Sequence, residues 1–183
     1  MWPLATLAFV AFAHDPLPPE VTESRAGDAY VIDGRFTVLA PVEVVWAVLS
    51  DYSHFSQFVS SVNKSEVVSR NGRAVVIDQE ATAKLGPFSR TMHLRLAVRE
   101  APGHALSFRD VSGQDFVRQE GSWSISETEL CCIVTYHLIA EPRVVVPSFI
   151  EGSVFKDTAV HLLTEVRNEI EKRAALALAG DHP

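Results

Sequence analysis

The sequence predicts an α+β fold in a single domain, and three observations carry that prediction. Between Val62 and Glu141, apolar and polar residues alternate with a period of two, which is typical of strands. Two short segments with helical spacing precede this region, and one long amphipathic segment follows it. A length of 183 residues matches one domain, so no second core is expected.

The first elements are a strand and two short helices. Residues 29–39 alternate as a half-buried strand does. Residues 41–50 have Pro41 at the first helical position and Glu43 in the first turn, which favours a helix start. Residues 51–58 carry aromatic side chains at three-residue spacing and predict a second short helix that closes one end of the domain.

Six further strands fit between Val62 and Glu141. The turn signals that separate them are Asn71-Gly72, Gly86-Pro87, Pro102-Gly103, Gly113 and Glu127-Thr128. These signals leave no room for crossover helices, so neighbouring strands should pair antiparallel. Residues 148–178 then predict a long helix whose apolar stripe comprises Phe155, Leu162, Leu163, Val166 and Ile170. We therefore expect a curved antiparallel sheet of seven strands wrapped around the C-terminal helix.

Several short sequences add a family resemblance to this order of elements. Residues 40–52, APVEVVWAVLSDY, have the form of a helical hairpin that Trp46 and Tyr52 pack, and residues 121–123 with Thr135-Tyr136 have the form of a last β-hairpin. Residues 141–149 have the form of a turn into a terminal helix. Together they resemble the START-like (SRPBCC) superfamily, which includes polyketide cyclases/dehydrases and coenzyme Q-binding proteins and has the helix-grip fold. The resemblance covers residues 28–175 and implies an elongated cavity between the sheet and the terminal helix.

The alternation along each strand assigns side chains to this implied cavity. On the last strand we choose the face of Cys132, Val134 and Tyr136, because the other face carries Thr135 and His137. The residues expected to line the cavity are Gln79, Arg90, Met92, Leu94, Phe108, Asp110, Trp123, Tyr136, Phe155 and Leu162.

Four of these residues are polar: Gln79, Arg90, Asp110 and Tyr136. A buried polar group without a partner costs about 1–3 kcal/mol, so they are candidates to orient a polar group of a ligand. In the alternative interpretation, Arg90 and Asp110 pair with each other or with water at the strand ends. Gln79 and Tyr136 would then be satisfied within the core.

Composition and motifs argue against several other functions. A net charge of −7 without basic runs argues against a nucleic-acid partner. The seven histidines form no metal-binding spacing, and no nucleophile-elbow or phosphate-binding loop occurs, so we expect no metal, no cofactor and no catalytic residue of those types. The adjacent Cys131 and Cys132 are interpreted as buried thiols, with a vicinal redox disulfide as the alternative.

The N-terminal residues predict export. Residues 1–13, MWPLATLAFVAFA, are apolar and end in a small-x-small sequence, so we expect a signal peptide cleaved after Ala13 and a secreted or periplasmic protein. The segment lacks a basic start, which leaves an uncleaved anchor or a buried strand as alternatives. Residues 14–27 are interpreted as a Pro-rich linker, residues 28–178 as the ligand-binding domain, and residues 179–183 as a tail.

Three functional hypotheses follow. The first is a monomeric protein that binds or transports a hydrophobic small molecule, such as a lipid, an isoprenoid or quinone, or a polyketide-like compound. Residues 144–150 are its candidate for transient membrane contact, with burial of this run against the core as the alternative. The second is a cyclase or dehydratase in which Arg90, Asp110 or Tyr136 polarises a carbonyl or moves a proton. The third is an interaction domain whose cavity is filled by its own aromatic side chains. Export favours the first, because the cyclases of this superfamily act on substrates tethered to cytoplasmic carriers.

Overall fold

The structure is a computed structural model that describes residues 17–85, 88–129, 131–144 and 154–180. Within these ranges, eight strands and three α-helices follow one another. The strands are β1 (Glu20–Ala26), β2 (Ala29–Val38), β3 (Val62–Asn71), β4 (Ala74–Leu85), β5 (Phe88–Ala101), β6 (Ala105–Asp110), β7 (Phe116–Glu127) and β8 (Cys132–Pro142). The helices are α1 (Val42–Leu49), α2 (Phe55–Phe58) and α3 (Val154–Gly180), with a 3-10 turn at Tyr52–His54 before α2.

All strands belong to one antiparallel sheet in the order β1-β2-β8-β7-β6-β5-β4-β3. From β3 to β8 each strand pairs with the next along the chain, as expected when short turns connect them. The α+β class, the antiparallel meander and the terminal helix are thereby confirmed. Strand β2 lies near one edge of the sheet, and β3 forms the other edge. The segment that joins them, which contains α1 and α2 (the α1–α2 connection), therefore crosses from one side of the sheet to the other.

The predicted linker was wrong over residues 20–26, which form the edge strand β1 and make the sheet eight-stranded. Its sequence, EVTESRA, carries a single large apolar residue, Val21, and so lacks the alternation that reveals a half-buried strand. Residues 1–16 lie outside the described residues, so the signal peptide and its cleavage after Ala13 stay predictions. Within the described chain, no helix combines the length and the apolarity needed to cross a membrane.

Helix α3 packs along the concave face of the sheet. Leu163, Val166 and Ile170 from the predicted stripe are fully buried. The expected helix start at Ser148 lies outside the described residues. Helix α3 comes unusually close to the sheet at Gly34 of β2, where a Cβ atom would lie 2.9 Å from Cδ1 of Leu163. The absence of a side chain at Gly34 therefore sets the distance between helix and sheet.

Ion pairs hold the α1–α2 connection against the C-terminal half of α3. Arg173 Nη2 lies 2.9 Å from Asp51 Oδ2, and Arg173 Nε lies 2.8 Å from Glu169 Oε1. Glu165 accepts a hydrogen bond from the backbone N–H of Ser60 at 3.1 Å. Burial raises the pKa of Asp51, but the hydrogen bonds from His54 and Arg173 outweigh that effect and lower it. These contacts close one end of the domain, as the sequence predicted.

We expect Gly121→Ala to destabilise the fold more than Gly34→Ala. A Cβ at position 121 would lie 2.2 Å from the backbone oxygen of His137, which the sheet holds in place, whereas the clash at position 34 involves the mobile end of Leu163. The expected losses in free energy of unfolding are roughly 3 kcal/mol or more against roughly 1–2 kcal/mol, measured by urea denaturation. The exposed Ser24→Ala is the control, and equal losses for the two glycines would contradict this account.

Candidate functional site

A cavity of about 240 Å³ lies between the concave face of the sheet and the first turns of α3. Its lining is largely apolar and comes from strands β3 to β8, from α3, and from the segment that contains α1 and α2. The volume is slightly below the range of ligand sites, which span about 300–1,000 Å³. Nine of the ten residues expected there do line it: Gln79, Arg90, Met92, Leu94, Phe108, Trp123, Tyr136, Phe155 and Leu162.

Asp110 does not line this cavity, and its assignment to the site is corrected. Its carboxylate accepts hydrogen bonds from the backbone N–H groups of Arg95, Ser112 and Gly113, and from the Ser112 hydroxyl at 3.0 Å. Asp110 is the last residue of β6, and its carboxylate accepts hydrogen bonds from backbone N–H groups of the loop that follows. This arrangement is common for Asp at turns. Its role is to shape the β6–β7 loop.

Arg90 pairs with Asp115 instead of Asp110. Arg90 Nη2 donates to Asp115 Oδ1 at 2.8 Å, and the backbone N–H of His93 donates to Asp115 Oδ2 at 2.9 Å. Both charged residues line the cavity, but the side chain of Arg90 is 46% exposed and that of Asp115 is 11% exposed. We therefore define this ion pair as the mouth of the cavity. Burial alone raises the pKa of Asp115, yet the hydrogen bonds from Arg90 and His93 outweigh burial and lower it.

Three aromatic side chains form one side of the cavity. Tyr136 and Trp123 lie opposite each other on β8 and β7, with ring centroids 4.5 Å apart. Phe108 of β6 is stacked near Tyr136 at 6.4 Å. Gly121, the β7 residue opposite Phe108, makes this arrangement possible, because a Cβ there would lie 2.7 Å from the Phe108 ring. The result is an aromatic surface that suits an apolar, flat or chain-like molecule.

The hydroxyl of Tyr136 is the most informative polar group in the cavity. Tyr136 is 5% exposed, and no hydrogen bond to its hydroxyl is present within the described parts of the chain. Burial raises the pKa of this hydroxyl above its ordinary value, so it remains protonated and can donate a hydrogen bond. A buried tyrosine hydroxyl usually has a partner, so a ligand oxygen at this position would satisfy it.

Gln119 is a second polar cavity residue, and the sequence analysis missed it. Its Oε1 atom is buried with no hydrogen-bond partner among the described residues. The signal was present, because Gln119 lies four residues before Trp123 on β7 and so shares its face. Gln79 differs, since its amide approaches the Ser65 hydroxyl at 3.5 Å, close to the limit for a hydrogen bond. The cavity thus offers two polar groups that the protein leaves unsatisfied.

The cysteines and those histidines that the structure describes lie apart from this cavity. Cys132 is buried and donates from Sγ to the backbone oxygen of Ala40 at 3.3 Å, and Cys131 is half-buried. Burial raises the pKa of the Cys132 thiol, which lowers its reactivity. Both thiols are free, and His93 and His137 lie on the outer face of the sheet as predicted. No group of three metal-binding side chains occurs in the ranges that the structure describes.

The sequence matches a family model described as polyketide cyclase / dehydrase and lipid transport, over residues 38–167. This match spans well over half of the chain, and it includes strands β3 to β8 and the first half of α3. The chain belongs to this family. Recognition of a START-like protein from the sequence is confirmed, and the family description contains both of the first two functional hypotheses.

Solved structures agree on the fold of this family member. A STAR-related lipid transfer protein from Xanthomonas axonopodis is 19% identical, with 86% of this chain and 96% of that chain covered and a TM-score of 0.66. An aromatase/cyclase from a Streptomyces species is 17% identical, with 79% and 95% covered and a TM-score of 0.66. A START superfamily protein from Mycobacterium smegmatis is 18% identical, with 78% and 97% covered and a TM-score of 0.65. At these identities the similarity concerns the fold.

We expect the stabilisation provided by Asp115 to disappear in acid. Folding lowers the pKa of Asp115, so the ionised carboxylate stabilises the folded state fully at pH values above its unfolded pKa of about 4. This contribution is lost as the pH falls through the lower pKa of the folded state. Asp115→Asn should cost about 1–3 kcal/mol at pH 7, and its difference from the wild type should shrink below about pH 4.

Urea denaturation of both proteins between pH 3 and pH 7 measures this dependence. Glu66→Gln provides the control, because Glu66 is 61% exposed and pairs with the equally exposed Lys64. A wild-type advantage over Asp115→Asn that stays constant down to pH 3 would show that the ion pair at the mouth does not depend on the ionised carboxylate.

Proposed function

We propose that this protein binds and carries a small, largely apolar molecule that has an oxygen function, without transforming it. The single observation that supports this most is the buried Tyr136 hydroxyl, which faces an apolar cavity with no partner among the described residues. Each buried methylene of a ligand contributes about 0.8 kcal/mol, so the apolar lining supplies affinity. The Tyr136 hydroxyl and the Gln119 amide then select ligands that carry a hydroxyl or carbonyl group.

The charges of the cavity favour binding over cyclisation. A cyclase of the expected type needs a group that exchanges protons near neutral pH. Burial raises the pKa of Tyr136, and the ion pair with Arg90 lowers the pKa of Asp115, so each is moved away from that range. Tyr52, also in the lining, donates its hydroxyl to Glu100 at 2.8 Å. The shifts in the pKa of Tyr136 and of Asp115 thus favour a role in holding a ligand over a role as a general base.

The cavity also argues against a domain filled by its own side chains. That hypothesis named Phe88, Phe108, Trp123, Phe149 and Phe155, of which the side chains of Phe88 and Phe149 lie outside the described residues. Phe108, Trp123 and Phe155 stand around the cavity and leave its volume open.

The proposed setting is an exported protein that loads at a membrane. Export rests on residues 1–13, and N-terminal sequencing of the protein from its own host would test for a mature chain beginning at His14. Membrane contact rests on Val144, which is 39% exposed and lines the cavity beside its mouth.

The direct test is native mass spectrometry of the protein purified from its host, followed by solvent extraction and identification of the bound molecule. A stoichiometric apolar compound with a hydroxyl or carbonyl group, recovered unchanged, is the expected result. An empty protein that also fails to bind lipids, quinones and apolar dyes would overturn the proposal. Conversion of an added poly-ketone into a cyclised product would favour the cyclase hypothesis.

A second test fills the cavity from its β4 side. Ala81 lines the cavity opposite Met92, so Ala81→Phe should reduce ligand affinity by at least about tenfold while leaving a folded protein. The matched control is Thr91→Phe, which adds a phenylalanine at an exposed position of the neighbouring strand. Titration with N-phenylnaphthylamine, an apolar fluorescent dye, measures the affinities. Equal effects of the two substitutions would place binding outside the cavity.

Tyr136→Phe separates ligand recognition from folding. It removes a hydroxyl that has no partner among the described residues, so the stability of the ligand-free protein should hold or rise. Affinity for the extracted ligand should fall by about tenfold, which corresponds to one lost hydrogen bond. Isothermal titration and thermal unfolding measure the two effects, and a variant that binds as tightly as the wild type would exclude Tyr136 from ligand recognition.

A further inference from the structure

The segment 17–26, which comprises β1 and the three residues before it, connects to helix α3 at several levels; we name it the strap. Near the middle of α3, Arg167 is 6% exposed, and its Nη1 donates to the backbone oxygen of Leu17. Arg167 Nε makes no hydrogen bond within the described residues and lies 3.8 Å from Glu171. A buried guanidinium is therefore engaged by the backbone of the strap and by little else.

Glu23 of the strap reaches the start of α3. Its Oε2 atom accepts a hydrogen bond from the backbone N–H of Lys156 at 3.0 Å. The first N–H groups of a helix lack partners within the helix, and a carboxylate there is favoured by both the hydrogen bond and the helix dipole. Glu23 thus caps the first turn of α3 from a distant part of the sequence.

The same face of β1 makes two further contacts. Val21 is buried, and its side chain and that of Leu163 of α3 both border the space that a Cβ atom at Gly34 would occupy. Two residues beyond Glu23, the Arg25 guanidinium lies 4.5 Å from the centre of the Tyr30 ring, and Tyr30 stacks on Phe155 of α3 at 4.1 Å. One face of a single edge strand therefore follows the first half of α3.

That half of α3 is the part that lines the cavity. Val154, Phe155, Thr158 and Leu162 face the cavity, and the contacts of Glu23 and Tyr30 lie on the same turns of the helix, while Arg167 lies just beyond them. Strand β1 pairs with β2 over residues 20–26, but it has no second neighbour in the sheet, and Pro19 and Val21 are the two buried residues of the strap. An edge strand with so little buried apolar surface belongs to the parts of a structure that open at low cost.

We propose that Glu23 and Arg167 are positioning residues for the ligand site, and that the strap sets the rate at which a ligand leaves the cavity. When the strap is attached, the first turns of α3 stay against the sheet and the ligand is retained. When it separates, those turns move away from the sheet and widen the cavity at Phe155 and Leu162, so the ligand leaves faster. This inference rests on the proposed function, because it assigns a kinetic role to the walls of the same cavity.

The experiment compares Glu23→Ala and Glu20→Ala in the full chain. Both substitutions remove a carboxylate from β1, but Glu20 faces away from α3 and pairs with Arg35, where both side chains are more than 60% exposed. Stopped-flow release of bound N-phenylnaphthylamine gives the dissociation rate, and hydrogen exchange with mass spectrometry reports on residues 154–163. Glu23→Ala should raise the dissociation rate by about 5-fold and speed exchange in those turns, and Glu20→Ala should change neither.

Two further variants separate positioning from a general loss of stability. Glu23→Gln keeps an acceptor oxygen without the charge, so its dissociation rate should lie between those of the wild type and Glu23→Ala. Arg167→Met preserves bulk and removes the guanidinium, and it should also raise the dissociation rate. Variants that lower the melting temperature without changing dye release or exchange in α3 would overturn the inference.

The outcomes also distinguish this inference from the proposed function. Dye binding by the wild type and its loss in Ala81→Phe test the cavity, whatever the strap does. If the wild type binds dye and Glu23→Ala releases it at the wild-type rate, the strap has no kinetic role and the proposed function stands. If the wild type binds no dye, the proposed function fails, and with it the inference that depends on a ligand.

Discussion

The close contact between α3 and Gly34 is the constraint on which the rest of the structure depends. A curved sheet can bury the apolar face of a helix only if the two approach at some point, and here the side chain of Leu163 occupies the space that a Cβ of residue 34 would take. From this contact toward the C-terminus, Val166 and Ile170 are fully buried. The opposite half of the helix is left to form the cavity, so one packing contact divides α3 into a core-forming half and a ligand-binding half.

The two halves of the helix are fixed by different kinds of interaction. The C-terminal half is held by apolar burial and by the ion pairs of Arg173 with Asp51 and Glu169. The N-terminal half relies on the cap from Glu23 and on the stacking of Phe155 against Tyr30. Single hydrogen bonds and ring contacts each contribute about 1 kcal/mol, far less than a fully packed core. The N-terminal half of α3 is thus held by weaker contacts than the C-terminal half, which is compatible with the proposed binding and release of a ligand.

The sequence predicted the sheet well because alternation reports directly on burial. The face chosen on β8 is the buried one, with Cys132, Val134 and Tyr136 each at most 5% exposed. The errors arose where hydrogen bonds in turns, or contacts between residues distant in sequence, determine the structure. Asp110 follows the alternation of its strand, which predicts an inward side chain. Its carboxylate instead accepts hydrogen bonds from the backbone N–H groups of Ser112 and Gly113 in the next loop. The strap escaped detection because its attachment to α3 uses a backbone carbonyl and a distant carboxylate, and contacts between residues so far apart leave no periodic pattern.

The unsatisfied hydroxyl of Tyr136 has a consequence for the life of the protein in its host. If a ligand oxygen bonds this hydroxyl, the occupied protein is more stable than the vacant one, since a ligand that binds only the folded state adds to its stability. Proteases act on transiently opened chains, so vacant copies would be degraded sooner than occupied ones. Occupancy would then govern abundance, and the amount of this protein would follow the supply of its cargo.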